Sequence, residues 1–255
     1  MLTTSEIESY REDGLVIPRS FRLSETELEC LRGAVDSVIS TNPDTPTDFL
    51  FNVHLDRRPP LRLVGHSAFS TLVTDENILD MVEQLIGPDI INWATHLFCK
   101  QATTGRAVPW HQDGQYWPIR PLRTCTVWVA IDQATKANGA LRYIPGSHKA
   151  NFTTPRHLLE HESPLMQSYN CPEGSVVIFT ESVTHAGGLW NSESPRIAIL
   201  NCYSPILAQY HKMDLPSEVI EAMPPKRQTL FRGVWTHDFS RGQPNDYFDA
   251  QNRSL

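Results

Sequence analysis

Trp110-His111-Gln112-Asp113-Gly114 is the stretch on which the reading of this chain turns, and two later runs complete it. One is Gly174-Ser-Val-Val-Ile-Phe179, which leads to His185; the other is Arg196-Ile-Ala-Ile-Leu-Asn-Cys-Tyr203. On an extended strand side chains alternate with period two, so His111 and Asp113 project from one face. The apolar run from Gly174 reads as a buried strand opened by a glycine turn, with His185 shortly after it. The run from Arg196 is a further strand, entered through the turn-rich Asn191-Ser-Glu-Ser-Pro195. Two antiparallel strands joined by that turn are expected to bring Arg196 back alongside His185.

A lone histidine-x-aspartate occurs by chance in many surface turns; here the weight comes from several strand contexts agreeing. Two imidazoles, one carboxylate and open coordination positions make the facial triad that suits non-haem iron(II), with His111, Asp113 and His185 as the candidate ligands. Arg196 offers a rigid, permanently charged fork able to hold a dicarboxylate co-substrate. Lys100 and Thr126 are further candidates for carboxylate contacts. Tyr116, Trp117 and Trp190, by proximity to the ligands, and Asn52 and His54, by loop placement, are candidates for lining a substrate cavity. Such an aromatic cluster suits an apolar or cationic substrate. Trp128 reads as core. His96, His157, His161, His211 and His237 lack ligand-like spacing to His111 and read as structural or solvent-exposed.

Away from these runs the first ninety residues are helical with loops. Ser5 to Asp13 is helix-compatible and stops at Gly14. Ser24-Glu-Thr-Glu27 is a capping box ahead of Leu28, Leu31, Val35, Val38 and Ile39, a spacing that predicts an amphipathic helix. Asp75 to Ile86 repeats the pattern and ends at Gly87-Pro88. Between them, residues 41–63 form a long, proline-containing connection. From Ile90 the pattern turns to short strands: 90–99, 124–131, 141–144, and the two runs above. Residues 147–165 read as a loop with some helix, and 217–223 as a short helix. Trp235, Phe239, Tyr247 and Phe248 suggest that the last thirty residues dock on the barrel or on a second subunit. Helices followed by strands without βαβ alternation predict a mainly β fold with packed helices. The expected organisation is one domain over 1–255: a helical part to about 89, a β core to about 205, and a C-terminal extension.

Composition excludes several classes. The 255 residues carry a formal net charge of −7, which leaves no electrostatic footprint for nucleic acid or an anionic membrane. With 40% hydrophobic and 20% charged residues the chain has the makings of a packed core. No apolar stretch approaches the roughly 20 residues that span a bilayer. The N-terminus lacks the basic-then-apolar pattern of a secretory signal. Five scattered cysteines without a CxxC pair read as free thiols, so a cytoplasmic setting is expected. A homo-oligomer is compatible with all of this.

The same residues resemble a known family. Trp110 to Gly114 with Tyr116-Trp117-Pro118, Val127 to Asp132, Asn138-Gly-Ala-Leu141, Ile144-Pro-Gly-Ser-His148, and the closing segment from Gly174 through His185 to Arg196 look like the phytanoyl-CoA dioxygenase superfamily. The resemblance covers roughly residues 5–205. It implies a double-stranded β-helix (jelly-roll, cupin-like) core and an iron(II)-dependent dioxygenase using 2-oxoglutarate and O2, with ascorbate as the reductant in vitro. Arg196 matches the co-substrate arginine, and Ser147-His148 matches a structural motif, which makes His148 a poor rival to His185. With a carboxylate at 113, the resemblance implies hydroxylation, desaturation or cyclisation rather than halogenation. The expected substrate is a small molecule of secondary or peripheral metabolism. The alternatives are an acyl-CoA, for which Arg57, Arg58, Arg120 and Arg123 would supply cationic contacts, and a non-catalytic cupin-like binding protein. A zinc hydrolase would need an additional carboxylate base, for which no candidate is evident.

Overall fold

A computed structural model of the chain describes residues 1–47, 49–55, 63–100, 108–117, 119–120, 123–150, 165–187, 196–205 and 209–210. Four helices dominate the first part: α1 (Thr4–Asp13), α2 (Glu25–Thr41), α3 (Ser67–Val73) and α4 (Glu76–Ile86). The Ser24–Glu27 capping box opens α2 as the sequence indicates, and the Asp75 carboxylate accepts the Ile78 amide hydrogen at the start of α4. The strands are β1 (Leu15–Val16), β2 (Leu50–Phe51), β3 (Ile90–Lys100), β4 (Val108–His111), β5 (Ile119–Arg120), β6 (Cys125–Ala130), β7 (Leu141–Tyr143), β8 (Gln167–Ser168), β9 (Val176–Thr180), β10 (His185–Gly187), β11 (Arg196–Pro205) and β12 (Gln209–Tyr210).

Ten of these strands build two antiparallel sheets, one ordered β1-β9-β6-β11-β3-β2 and the other β4-β10-β7-β8; β5 and β12 pair separately. From β3 onward the chain shuttles between them: β3, β6, β9 and β11 lie in the larger sheet, and β4, β7, β8 and β10 in the smaller. That alternation is the double-stranded β-helix. It also corrects one expectation. Arg196 opens β11 in the larger sheet while His185 opens β10 in the smaller, so residues 188–195 connect two sheets rather than closing a hairpin. Arg196 instead lies opposite Lys100 of β3.

The two faces of the larger sheet have different company. Leu97, Val127, Val129, Ile178, Ile199 and Tyr203 share a core with Leu28, Leu31, Val35 and Val38 of α2, Phe69 of α3, and Ile78, Met81 and Val82 of α4. Trp128, Ala130, Val177, Phe179 and Ala198 pack instead with Leu141 and Tyr143 of the smaller sheet. Period-two alternation therefore gives each central strand a helix-facing set and an inward set. The inward set reaches the candidate site.

Gly14, at φ 82°, ends α1 by directing its amide to Tyr10 O, and a Cβ there would lie 2.6 Å from the His148 ring. His148 Nε2 is bonded to Arg11 O, so this histidine fastens α1 to the barrel, away from the metal candidates. The five cysteines are free, four of them buried and Cys30 exposed. Among the described residues no helix is long and apolar enough to cross a membrane. The helix expected at 217–223, the loop with some helix expected beyond 150, and the C-terminal aromatics lie outside the described residues.

Candidate metal centre

His111 ends β4, and His185 opens β10 directly opposite it in register. Asp113 is not on the strand: it begins a short 3-10 turn, Asp113–Gln115. The expected alternation still operates, because Gln112 keeps extended angles (φ −123°, ψ 123°) and so returns Asp113 to the face of His111. The three side chains are buried at 6%, 8% and 4% exposure for His111, Asp113 and His185. Asp113 Oδ1 lies 3.3 Å from His111 Nε2 and 3.7 Å from His185 Nε2, and the imidazole centroids are 4.2 Å apart. One donor atom from each lies within 4.8 Å of the others, as one ion requires.

Backbone carbonyls choose the tautomers. His111 Nδ1 donates to Pro109 O at 2.8 Å, and His185 Nδ1 donates to Val183 O at 3.0 Å. A neutral ring that donates from Nδ1 presents its Nε2 lone pair to a metal, and in both rings Nε2 is the atom nearest Asp113. Burial holds His185 down to about 4, with His111 acting the same way, against the opposing pull of Asp113 and the Val183 bond. Burial alone would raise the Asp113 carboxyl, but His185 and His111 outweigh it and hold it below its ordinary value. Two imidazoles and one carboxylate suit a divalent transition metal, so the donor set fits iron(II).

The turn preceding His185 and the segment carrying Asp113 are tied together. The Gly114 amide donates to Glu181 O at 2.9 Å, and the Gln112 side-chain amide donates to Ser182 O. Glu181 is 1% exposed, and its carboxylate accepts from the Thr124 amide and hydroxyl and from the Thr180 and Ser182 hydroxyls. Glu181→Ala strips these donors of their acceptor. It is expected to destabilise the fold by about 1–3 kcal/mol, measured by denaturant unfolding of the metal-free chain. An unchanged midpoint would contradict this role.

A second expectation concerns pH. Burial pushes His96, as well as His185, down to about 4 from an ordinary 6.5. As pH falls below about 6.5 the unfolded chain takes up protons that the folded chain refuses. The stability present above that value is lost progressively towards 4. The melting temperature of the metal-free protein should fall across this window; a flat profile would contradict the burial of neutral imidazoles.

Arg196 is 3% exposed, and its Nε has no hydrogen-bond partner among the described residues. Its guanidinium carbon lies 5.7 Å from the Trp128 ring centroid. Burial lowers its pKa to about 10, which leaves it charged at neutrality. No ion pair to Arg196 occurs among the described residues, so a bound carboxylate would satisfy a charge already out of water. Thr126 is fully buried, with its hydroxyl 3.7 Å from Cys202 Sγ. Lys100 ends β3 opposite Arg196, and its side chain lies outside the described residues.

The proposed lining residues are scattered. Tyr116 is 48% exposed with its ring 6.3 Å from that of His111, and Trp117 packs edge-on against Trp93 at 4.5 Å. Asn52, at φ 54°, donates its amide to Thr95 O while its side-chain oxygen accepts from Thr95 N, sealing the β2–β3 edge. The His54 carbonyl accepts the Ser70 hydroxyl. Trp190 lies outside the described residues. His96, expected to be structural or solvent-exposed, is buried within electrostatic reach of Asp113. Its two- and four-residue offsets from Phe98 and Lys100 on β3 were the available signal, since that spacing shares a face.

Comparison with known proteins agrees with this geometry. The family model for phytanoyl-CoA dioxygenase (PhyH) matches residues 10–198. A probable phytanoyl-CoA dioxygenase of Caenorhabditis elegans is 37% identical over 94 residues, 34% of this chain and 28% of that protein. Bovine peroxisomal phytanoyl-CoA dioxygenase is 26% identical over 187 residues, 62% of this chain and 55% of its own. Both matches thus span less than two thirds of the relative's length. Among solved structures, EctD from S. alaskensis with 2-oxoglutarate and 5-hydroxyectoine superposes with a TM-score of 0.71 at 19% identity, covering 92% of this chain and 86% of EctD. With the family model spanning most of its length, this chain belongs to the phytanoyl-CoA dioxygenase family.

Proposed function

We propose that the protein is an iron(II)- and 2-oxoglutarate-dependent dioxygenase that hydroxylates a small molecule of secondary or peripheral metabolism. The observation that carries this reading is the convergence of His111 Nε2, His185 Nε2 and Asp113 Oδ1 in a buried site; Arg196, buried on β11 with no ion pair among the described residues, supports it. His111, Asp113 and His185 hold the iron. Arg196 receives the distal carboxylate of 2-oxoglutarate, with Lys100 and Thr126 as additional contacts. Bound iron(II) and 2-oxoglutarate supply the oxidising power: with O2, 2-oxoglutarate is decarboxylated to succinate and CO2, and one oxygen atom goes to the substrate.

The chain's own contribution is orientation and exclusion of water. Pro109 O and Val183 O fix the ring tautomers, and the Glu181–Gly114 and Gln112–Ser182 bonds hold the two ligand segments against each other. Tyr116, half-exposed with its ring 6.3 Å from that of His111, serves the approach to the site. Succinate release tests the reading, run with iron(II), 2-oxoglutarate and ascorbate against a panel of alicyclic, aromatic, amino-acid and acyl-CoA compounds. At least one compound should raise the rate above the uncoupled level, and omission of iron should remove it. Iron-independent turnover, or none, would overturn the proposal.

A further inference from the structure

His96 occupies the middle of β3, directly opposite Leu200 of β11. Cross-strand partners share a face, and alternation along β11 groups Leu200 with Arg196, Ala198 and Cys202. Leu200 and Ala198 pack with Trp128 and Tyr143 between the sheets, so His96 faces the interior that holds the metal candidates. Phe51 is its partner on the other side, in β2. The imidazole meets Phe51 edge-on at 4.7 Å, Phe49 at 5.0 Å and Trp93 at 6.4 Å. It is 8% exposed, and its Nε2 is buried with no hydrogen-bond partner among the described residues.

Most buried polar atoms find a partner within the fold, and one left over that faces the interior of a site is a place where a ligand can bring the bond. The surroundings restrict that ligand. Three aromatic rings form an apolar wall, and no ion pair to His96 occurs among the described residues. The nearby Asp113 carboxylate disfavours an anion. The imidazole stays neutral near pH 7 because burial holds it down to about 4, so its Nε2 can accept from or donate to a hydroxyl according to tautomer, whereas an ammonium buried here would be desolvated with no carboxylate within ion-pair distance of His96 among the described residues.

We propose that His96 is a substrate-binding residue whose Nε2 hydrogen-bonds a hydroxyl of a neutral, ring-bearing substrate, the ring lying against Phe49, Phe51 and Trp93. This deepens the oxygenase reading and rests on it for the role of the site.

The test uses the full-length chain with zinc(II) and 2-oxoglutarate, so that no oxygen chemistry runs. Three probes of one shape are titrated by ligand-observed NMR: cyclohexanol, cyclohexylammonium and cyclohexanecarboxylate. Cyclohexanol should bind the wild type best. Its dissociation constant should rise about tenfold in His96→Phe, which keeps the bulk but loses the nitrogen. His96→Gln, whose amide reaches towards the Nε2 position, should stay within about threefold. Equal binding to the wild type and His96→Phe overturns the proposal. So do preference for a charged probe, failure of the glutamine variant to retain affinity, and absence of binding by all three probes. Where the phenylalanine variant fails to fold, probe preference in the wild type and affinity in the glutamine variant still decide. Wild-type succinate formation reads the oxygenase assignment separately, so failure of either claim is distinguishable from failure of the other.

Discussion

Asp113→Ala is expected to abolish iron-dependent succinate formation while leaving the protein folded. Asp113 Oδ1 lies within 3.7 Å of both imidazole nitrogens, and Asp113 is the one anion of the three-residue cluster. Without it two neutral nitrogens remain, and nothing in the cluster offsets the charge of a divalent ion. Loss of residues that only support metal ligands costs about 10–100-fold in affinity or activity; loss of a ligand should exceed the upper end of that range. Stability should change little, because the desolvation cost of the buried carboxylate is offset by the two imidazoles that hold its pKa down. The metal-free variant should therefore stay folded and melt near the wild type, and His185→Ala should likewise lose turnover. Normal succinate formation by either folded variant would sink the ligand assignment.

Arg196→Ala should raise the Michaelis constant for 2-oxoglutarate by at least about 30-fold. Removing one member of a buried, hydrogen-bonded charge pair costs roughly 2–5 kcal/mol, and each 1.4 kcal/mol is tenfold. Arg196→Lys should fall between, because lysine keeps the charge but cannot present two parallel donors to a carboxylate. Substrate-independent turnover over a range of 2-oxoglutarate concentrations separates the three proteins. An unchanged constant in Arg196→Ala would remove the arginine from co-substrate binding and leave its burial without a functional reason.

The parts of the fold that showed in the sequence are those whose periodicity runs for several turns or pleats. Helices α2 and α4 carry an apolar stripe of three or more turns and a side-chain cap at Ser24 or Asp75, so pattern and boundary agree. Strands β3, β6, β9 and β11 carry apolar runs long enough to be buried. Helix α3 did not show: it is seven residues long and capped by the His66 ring instead of the usual serine, threonine, aspartate or asparagine. The two-residue strands β1, β2, β5, β8 and β12 contain a single period with no repeat to recognise.

In the candidate site, the spacing of His111 and Asp113 was informative because one extended residue lies between them. The placement of Arg196 was not. A turn-rich stretch reads the same whether it closes a hairpin or crosses between sheets, and only strand pairing distinguishes them. His96 was hidden for a related reason. Its significance depends on the register that sets it opposite Leu200 and Phe51, and register belongs to partner strands distant in sequence.

The most direct measurement is an anaerobic absorption titration of the full-length chain with iron(II) and 2-oxoglutarate. A weak visible metal-to-ligand band should appear only when both are present, should be absent in Asp113→Ala, and should require far more 2-oxoglutarate in Arg196→Ala. No band in the wild type, or an undiminished band in Asp113→Ala, would contradict an iron centre built from His111, Asp113 and His185.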